Sequence, residues 1–133
     1  MISALDEQES FALLSAASIG RVGLVRDGRV EIIPVNYLMD GHDVIVHTRD
    51  DGILSHLPEQ SDVAFEVDHH DDLGGTAWSV LLSGRVIVVP ENEQKQLSGV
   101  DRVRPWAGGE RSLCLRLVVE RISGRRVSRR RNP

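Results

Sequence analysis

The 133-residue chain has one cysteine, one tyrosine, two tryptophans and two phenylalanines, so that only 4% of its residues are aromatic. A lone cysteine excludes a disulfide framework and a thiolate zinc cluster. Cys114 sits in "SLCLRLVV" and reads as a packed strand residue rather than a nucleophile. No apolar run approaches the ~18 residues of a membrane-spanning helix. The opening "MISALDEQES" lacks the basic start and apolar core of a signal peptide. The cytoplasm is therefore the expected compartment, with no membrane partner. Also missing are a Gly-rich phosphate fingerprint, a Gly-x-Ser-x-Gly elbow and a His-Glu-x-x-His pair, so no common nucleotide, serine-hydrolase or zinc-protease motif applies.

What is present fits one domain with a real core: 41% of residues are hydrophobic and 27% are charged. Charge is unevenly placed. Residues 1–101 carry 6 basic and 18 acidic side chains, a net −12, whereas residues 102–133 carry 10 arginines and 2 glutamates, a net +8. An acidic body repels a polyanion, so no nucleic-acid partner is expected despite the basic end. A small anionic ligand near the arginines stays open, since guanidinium groups grip phosphates well.

Along the chain, "SALDEQESFALLSAAS" predicts an opening helix with Ser3 or Asp6 as N-cap and Leu5, Phe11, Leu14 and Ala17 along one face. The period then changes to two. "GRVGLV" and "RVEIIPVNYLM" flank Asp27-Gly28, a hairpin signal, and a second Asp-Gly at Asp40-Gly41 leads into "HDVIVHT". "RDDGILSHLPEQ" predicts a short helix closed by Pro58, "DVAFEVD" a fourth strand and "HHDDLGG" a polar loop. "TAWSVLLSGRVIVVP" is a long fifth strand in which Gly84 marks a bend or bulge. "ENEQKQLSGV" suggests a helix, "RVRPWAGGE" a turn-rich connection, and "RSLCLRLVVERISG" a last strand with Leu113, Leu115, Leu117 and Val119 on one face. Residues 1–124 form the expected domain, and 125–133 a basic tail expected to fray. Six hairpin-linked strands with few short helices make the expected fold class mainly β, a six-stranded antiparallel barrel. A barrel this small encloses little volume, which makes dimerisation a way to add a ligand pocket.

Two stretches carry chemistry. In "PVNY", Pro34 cannot donate to a ladder, Asn36 brings an amide that needs partners, and Tyr37 adds a ring with a polar tip. Either this is an edge strand, or its broken ladder frees backbone groups for something planar and polar. In "HTRDDG", His47 and Thr48 end a strand before a helix start, which reads either as a simple N-cap or as a phosphate seat. "DHHDD" reads as a solvated acidic loop, because adjacent histidines on a strand point oppositely, and no metal is assigned. Trp78 and Trp106 are the two tryptophans, Trp106 in the loop "RPWAGG".

Taken in order, "SIGRVGLV", "IIPVNYLMDGHDVIVHT", "DVAFEVD", "AWSVLLSGRVIVV" and "PWAGGE…RISGRRV" resemble the pyridoxamine 5′-phosphate oxidase-like, FMN-binding split-barrel proteins. The resemblance is to the small actinobacterial-type members of the nitroimidazole-reductase-like branch. It implies a six-stranded split barrel that forms a homodimer with FMN at the subunit interface. By the same resemblance Pro34, Val35, Asn36 and Tyr37 lie along the isoalloxazine ring. His47 and Thr48 hold the ribityl phosphate, and Trp78, Ser79 and Trp106 approach from the interface. One position departs: counting back from "DVAFEVD" sets Ile53 where relatives carry a phosphate-binding lysine, with His56 or a C-terminal arginine as possible substitutes. The implied function is a flavin-dependent oxidoreductase acting on a small molecule, with no side chain nominated as acid or base. The alternatives are a non-catalytic carrier of a flavin or deazaflavin coenzyme, and a split barrel that has lost its cofactor.

Overall fold

The computed structural model describes residues 1–97 and 112–129. Its elements in chain order are β1 (Ile2–Leu5), α1 (Glu7–Ala16), β2 (Ile19–Arg26), β3 (Arg29–Asn36), β4 (Leu38–Asp40) and β5 (Asp43–Arg49). A 3₁₀ helix (Ile53–Glu59), β6 (Val63–Asp71), β7 (Thr76–Val88), α2 (Glu91–Gln94) and β8 (Ser112–Ser128) follow. All pairings are antiparallel, in the order β3-β2-β6-β7-β8-β5-β4, with β1 added on β8.

Only Tyr37 separates β3 from β4, so Arg29–Asp40 is one extended run whose first part pairs with β2 and whose second part pairs with β5. That single run links the two ends of the sheet, and the curled sheet is a split barrel. Counting β3 and β4 as one strand and setting aside the short β1 leaves the six expected strands. The strand count rises to eight because the run changes partner at Tyr37 and because residues 2–5, of which 3–5 were expected to open the helix, pair instead with β8. Ser3 is thus a strand residue. Asp6 is the N-cap, accepting from Glu9 N–H while Glu9 caps back to the Asp6 N–H, a complete capping box.

Local chemistry explains the other joints. Asp27 and Gly28 both take positive φ (53° and 75°), the two-residue hairpin turn that Asp-Gly favours. A bulge interrupts the β7–β8 register between Ser83 and Gly84, where any Cβ on Gly84 would run into the Val118 carbonyl oxygen. The helix expected over residues 91–100 is only Glu91–Gln94 among the described residues, and two strand ends also move. β6 continues through His69 and His70 to Asp71, so the loop after it shrinks to a turn. β8 continues past 124 to Ser128, held by β7 on one side and β1 on the other, so Arg125 and Arg126 belong to the sheet and not to a frayed tail. Extra strand pairing outweighs the charge of the arginine run.

The barrel interior is filled. Val22, Phe65, Val67, Val80, Leu82, Leu115 and Leu117 form its core with Leu14 and Phe11 of α1. The void among Val22, Val44, Val46, Leu57, Val63, Phe65, Val86, Leu115 and Leu117 is about 10 Å³, room for at most one water and for no ligand. A second small cluster, Leu38, Ile45, Val89, Leu97 and Cys114, lies on the outer side of β5 and β8. Among the described residues no helix is long and apolar enough to cross a membrane.

Candidate functional site

The partner switch in the Arg29–Asp40 run has a local cause. Tyr37 N–H donates to Ser18 C=O at 2.9 Å, which fixes the parity of the β2–β3 ladder. Alternation then turns the backbone groups of Asn36, and the nitrogen of Pro34, toward the opposite edge. That edge is where β4 meets β5, beginning with Leu38 opposite Ile45. Carried further, this register would set Asn36 beside His47 and Pro34 beside Arg49. No pairing forms there, although Cα atoms of β3 and β5 come within 8 Å of each other. Pro34 has no N–H to offer β5, so one ladder bond is missing beside Arg49, and the backbone N–H and C=O of Asn36 face an open split.

Strand alternation sorts the expected site residues into two faces. Pro34 and Asn36 are exposed and share the outer face of the barrel with Leu38. On β5 the outer row is Ile45, His47 and Arg49, while Thr48 continues the inward row of Val44 and Val46. His47 is buried, 7% exposed, opposite Cys114 on β8. The side chains of His47 and Thr48 therefore point to opposite sides of β5. Arg49 is the outward partner of His47, a residue that sequence reasoning missed although a period of two, counted from His47, reaches it.

Tyr37 is a correction to the expected flavin-facing ring. Its side chain is 2% exposed, packs edge-on against Phe65 at 5.1 Å, and donates its hydroxyl to Leu14 C=O at 2.6 Å. Burial pushes its pKa up to about 12. It anchors the strand junction to the end of α1. Val35 packs against the same core. Trp78 is likewise on the inner side, half-buried against the core, with its ring 6.3 Å from that of His69. Ser79 is on the outer side, opposite Asp68 of β6. Trp106 lies outside the described residues.

Beside the split, Ser15, Ala16, Ala17, Ser18, Asn36, Tyr37 and Leu38 enclose a hollow of about 380 Å³ at the end of α1. This lies within the range of small-ligand sites. Farther along the outer face, Arg21, opposite Pro34, reaches both Glu66 and Asp68 at 2.8 Å. Burial and then the hydrogen bond with Asp68 push the Glu66 carboxyl up. That same hydrogen bond, with the Arg21 charge, draws Asp68 down. The outer face around these charges is apolar: Ile19, Val25, Val30, Ile32 and Leu81 are all exposed, Val30 by 72% and Ile32 by 66%.

The expected phosphate end is differently built. The helix there is one seven-residue 3₁₀ segment starting at Ile53, with no side-chain cap at Gly52. Ser55 bonds Gly52 C=O through both its N–H and its hydroxyl. Arg49 faces Asp51 through two hydrogen bonds of 3.0 Å, and His56 Nδ1 sits 3.4 Å from Glu59. Cys114, 0% exposed, has its thiol pKa pushed up by burial, against the pull of Arg116, and offers no nucleophile.

The family model described as pyridoxamine 5′-phosphate oxidase matches residues 6–126. The chain is similar to the uncharacterized protein Rv0080 of Mycobacterium tuberculosis, 30% identical over 129 residues that cover 92% of this chain and 84% of that one. Among solved structures it is similar to the FAD binding protein of Mycobacterium smegmatis, at 25% identity and a TM-score of 0.79, covering 94% of this chain and 99% of that one. An FAD-binding protein of Mesorhizobium loti shares the fold at 21% identity and a TM-score of 0.83, covering 97% and 98%.

Proposed function

Because the chain belongs to the pyridoxamine 5′-phosphate oxidase family, we propose that it binds a flavin against the outer side of the β3–β5 split, as part of a homodimer, and performs redox chemistry on a small molecule. The observation that carries this reading is the open ladder at Pro34 and Asn36. An isoalloxazine ring has a polar edge of alternating donors and acceptors. The Asn36 side-chain amide and the backbone groups of Asn36 offer complementary partners along one lip. The adjoining hollow gives room for a planar group. The filled interior leaves the outside as the place for a ligand.

A bound flavin supplies the electron-transfer chemistry, and the protein supplies orientation. In this reading Pro34 keeps the lip free of strand pairing, Asn36 aligns the ring edge, and Tyr37 holds the junction rigid from behind. The exposed apolar row Ile19, Val25, Val30, Ile32 and Leu81 suits a second copy, which would complete the site with its own surface. A non-catalytic flavin or deazaflavin carrier is the second reading. It is favoured by the Arg49–Asp51 pairing, which engages the exposed cation of the β5 lip.

The test is spectroscopic. Purified protein should bind added flavin, with a shifted visible band and quenched flavin fluorescence, and a reduced nicotinamide cofactor should bleach the bound ring. An unchanged spectrum at saturating flavin sinks the reading. Binding without bleaching by any nicotinamide donor moves the protein to the carrier role.

A further inference from the structure

Resting on the second copy in that reading, we propose that the chain pairs with itself through the outer face of β6, β7 and β8. The two-fold axis runs along β7, Leu81 packs on its counterpart, and Asp68 of each copy binds Arg125 of the other. Cross-strand register builds this face. Asp68, Ser79 and Arg125 lie in one row across the three strands, and Glu66, Leu81 and Ser123 lie in the next. Directly opposed residues share a side of the sheet, here the outer one. Leu81 is 52% exposed at the middle of its row. Beside it a hollow of about 400 Å³, bordered by the small side chains of Ala64, Ser83 and Ser123, leaves room for a second leucine.

The charge pattern says where that second leucine comes from. The Arg21 guanidinium is shared at 2.8 Å between Glu66 and Asp68, one cation for two carboxylates. Arg125 is exposed and forms no ion pair among the described residues. Asp68 and Arg125 stand on either side of β7, two strand spacings or about 10 Å apart, too far to meet within one chain. Turning a copy by half a revolution about β7 lays its β6 over the β8 of the first. Each Asp68 then faces an Arg125, Leu81 faces Leu81, and the contact is isologous. The acid surplus of one copy meets the unpaired arginine of the other, and it does so twice. A second copy carries this matching pattern by construction. An interface of standard size, about 800 Å² per copy, extends roughly 16 Å from its centre. It therefore takes in Ile32 on β3, which is three strands from β7.

The experiment is sedimentation of the purified full chain, joined to cross-linking of cysteine variants with a short bismaleimide. The unaltered protein should sediment as a dimer and stay uncross-linked, because Cys114 is 0% exposed. Ser79→Cys, on the axis, should give a covalent dimer. Ile32→Cys should not, since across the axis the two positions lie six strand spacings apart, roughly 29 Å. Arg125→Glu should weaken the dimer roughly tenfold or more by setting like charges together. Adding Asp68→Arg to that variant should recover most of the loss. A dimer that cross-links through position 32 and not through 79, or that ignores both charge changes, overturns this arrangement and leaves the second copy in place. A monomer at every concentration removes the homodimer and this inference together.

Discussion

Replacing Tyr37 with phenylalanine separates a ring that braces the fold from a ring that meets a ligand. The hydroxyl donates to Leu14 C=O at 2.6 Å from a side chain that is 2% exposed. Its removal deletes one buried hydrogen bond and leaves the Leu14 carbonyl with only a long contact from Ala17 N–H at 3.4 Å. The edge-on packing against Phe65 is untouched. The expected loss is about 1–2 kcal/mol, one net hydrogen bond plus part of the desolvation of its acceptor. With a urea slope of about 2 kcal/mol per molar, the middle of the range for a small domain, the unfolding midpoint should fall by roughly 0.5–1 M. Flavin affinity should stay as it was, because the ring points inward from the split.

The same residue gives a signed pH dependence. Burial holds the phenol at about 12, against an ordinary value of ~10. Above pH ~10 the unfolded chain releases this proton and the folded chain keeps it. The unfolded state then binds fewer protons, and stability falls as pH rises through that window. The loss approaches roughly 2–3 kcal/mol by pH ~12, and Tyr37→Phe should abolish this part of the slope. As the chain has one tyrosine, tyrosinate absorbance reports this group alone. A native midpoint near ~10, or a variant with unchanged stability and weakened flavin binding, would refute the buried brace and put the ring back at the ligand.

Gly84→Ala forces a Cβ against the Val118 carbonyl at the bulge and should cost about 3 kcal/mol, read as a lowered urea midpoint. Arg116→Gln leaves Asp40 and Asp43 without their shared cation. These carboxylates are partly exposed, so about 1 kcal/mol is expected, with a smaller loss at high salt. Ile32→Asp places a charge in the exposed apolar row and should convert the proposed dimer to monomer by light scattering, with the circular dichroism spectrum unchanged. A dimer that persists through this change would place the interface elsewhere.

Much of the fold was legible because its signals are local. Asp27-Gly28 dictates its own turn, Gly84 marks its bulge, and period-two patterning located the long strands. The boundaries that moved depend on partners far away in sequence. Ile2–Leu5 becomes a strand only because β8 runs far enough to receive it, and Arg125 and Arg126 stay ordered because β7 and β1 flank them. The site was legible in part for the same reason. Pro34 announces a missing donor by its identity. The inward turn of Tyr37 depends on Phe65 and Leu14, which no local pattern names. The opposite facing of His47 and Thr48 follows from alternation alone, and so does the place of Arg49.

The filled interior has a consequence for how the proposed site must behave. With about 10 Å³ free among the core side chains, a ligand at this barrel lies outside it. The split offers one wall there, formed by Pro34, Asn36 and the β5 lip. A planar ligand held against one wall keeps its other face in water, and little of its apolar surface is buried. In the proposed dimer a second subunit over the exposed Val30 and Ile32 region would supply the missing wall. Binding and assembly are then linked, and linkage is reciprocal. If flavin bridges two chains, flavin must strengthen the dimer by the same factor by which dimerisation strengthens flavin binding. Flavin affinity should therefore rise with protein concentration up to the dimer dissociation constant and level off above it. Ile32→Asp should lose both properties together, although Ile32 lies two positions before the open part of the ladder. An Ile32→Asp monomer that kept full flavin affinity would mean that one wall suffices.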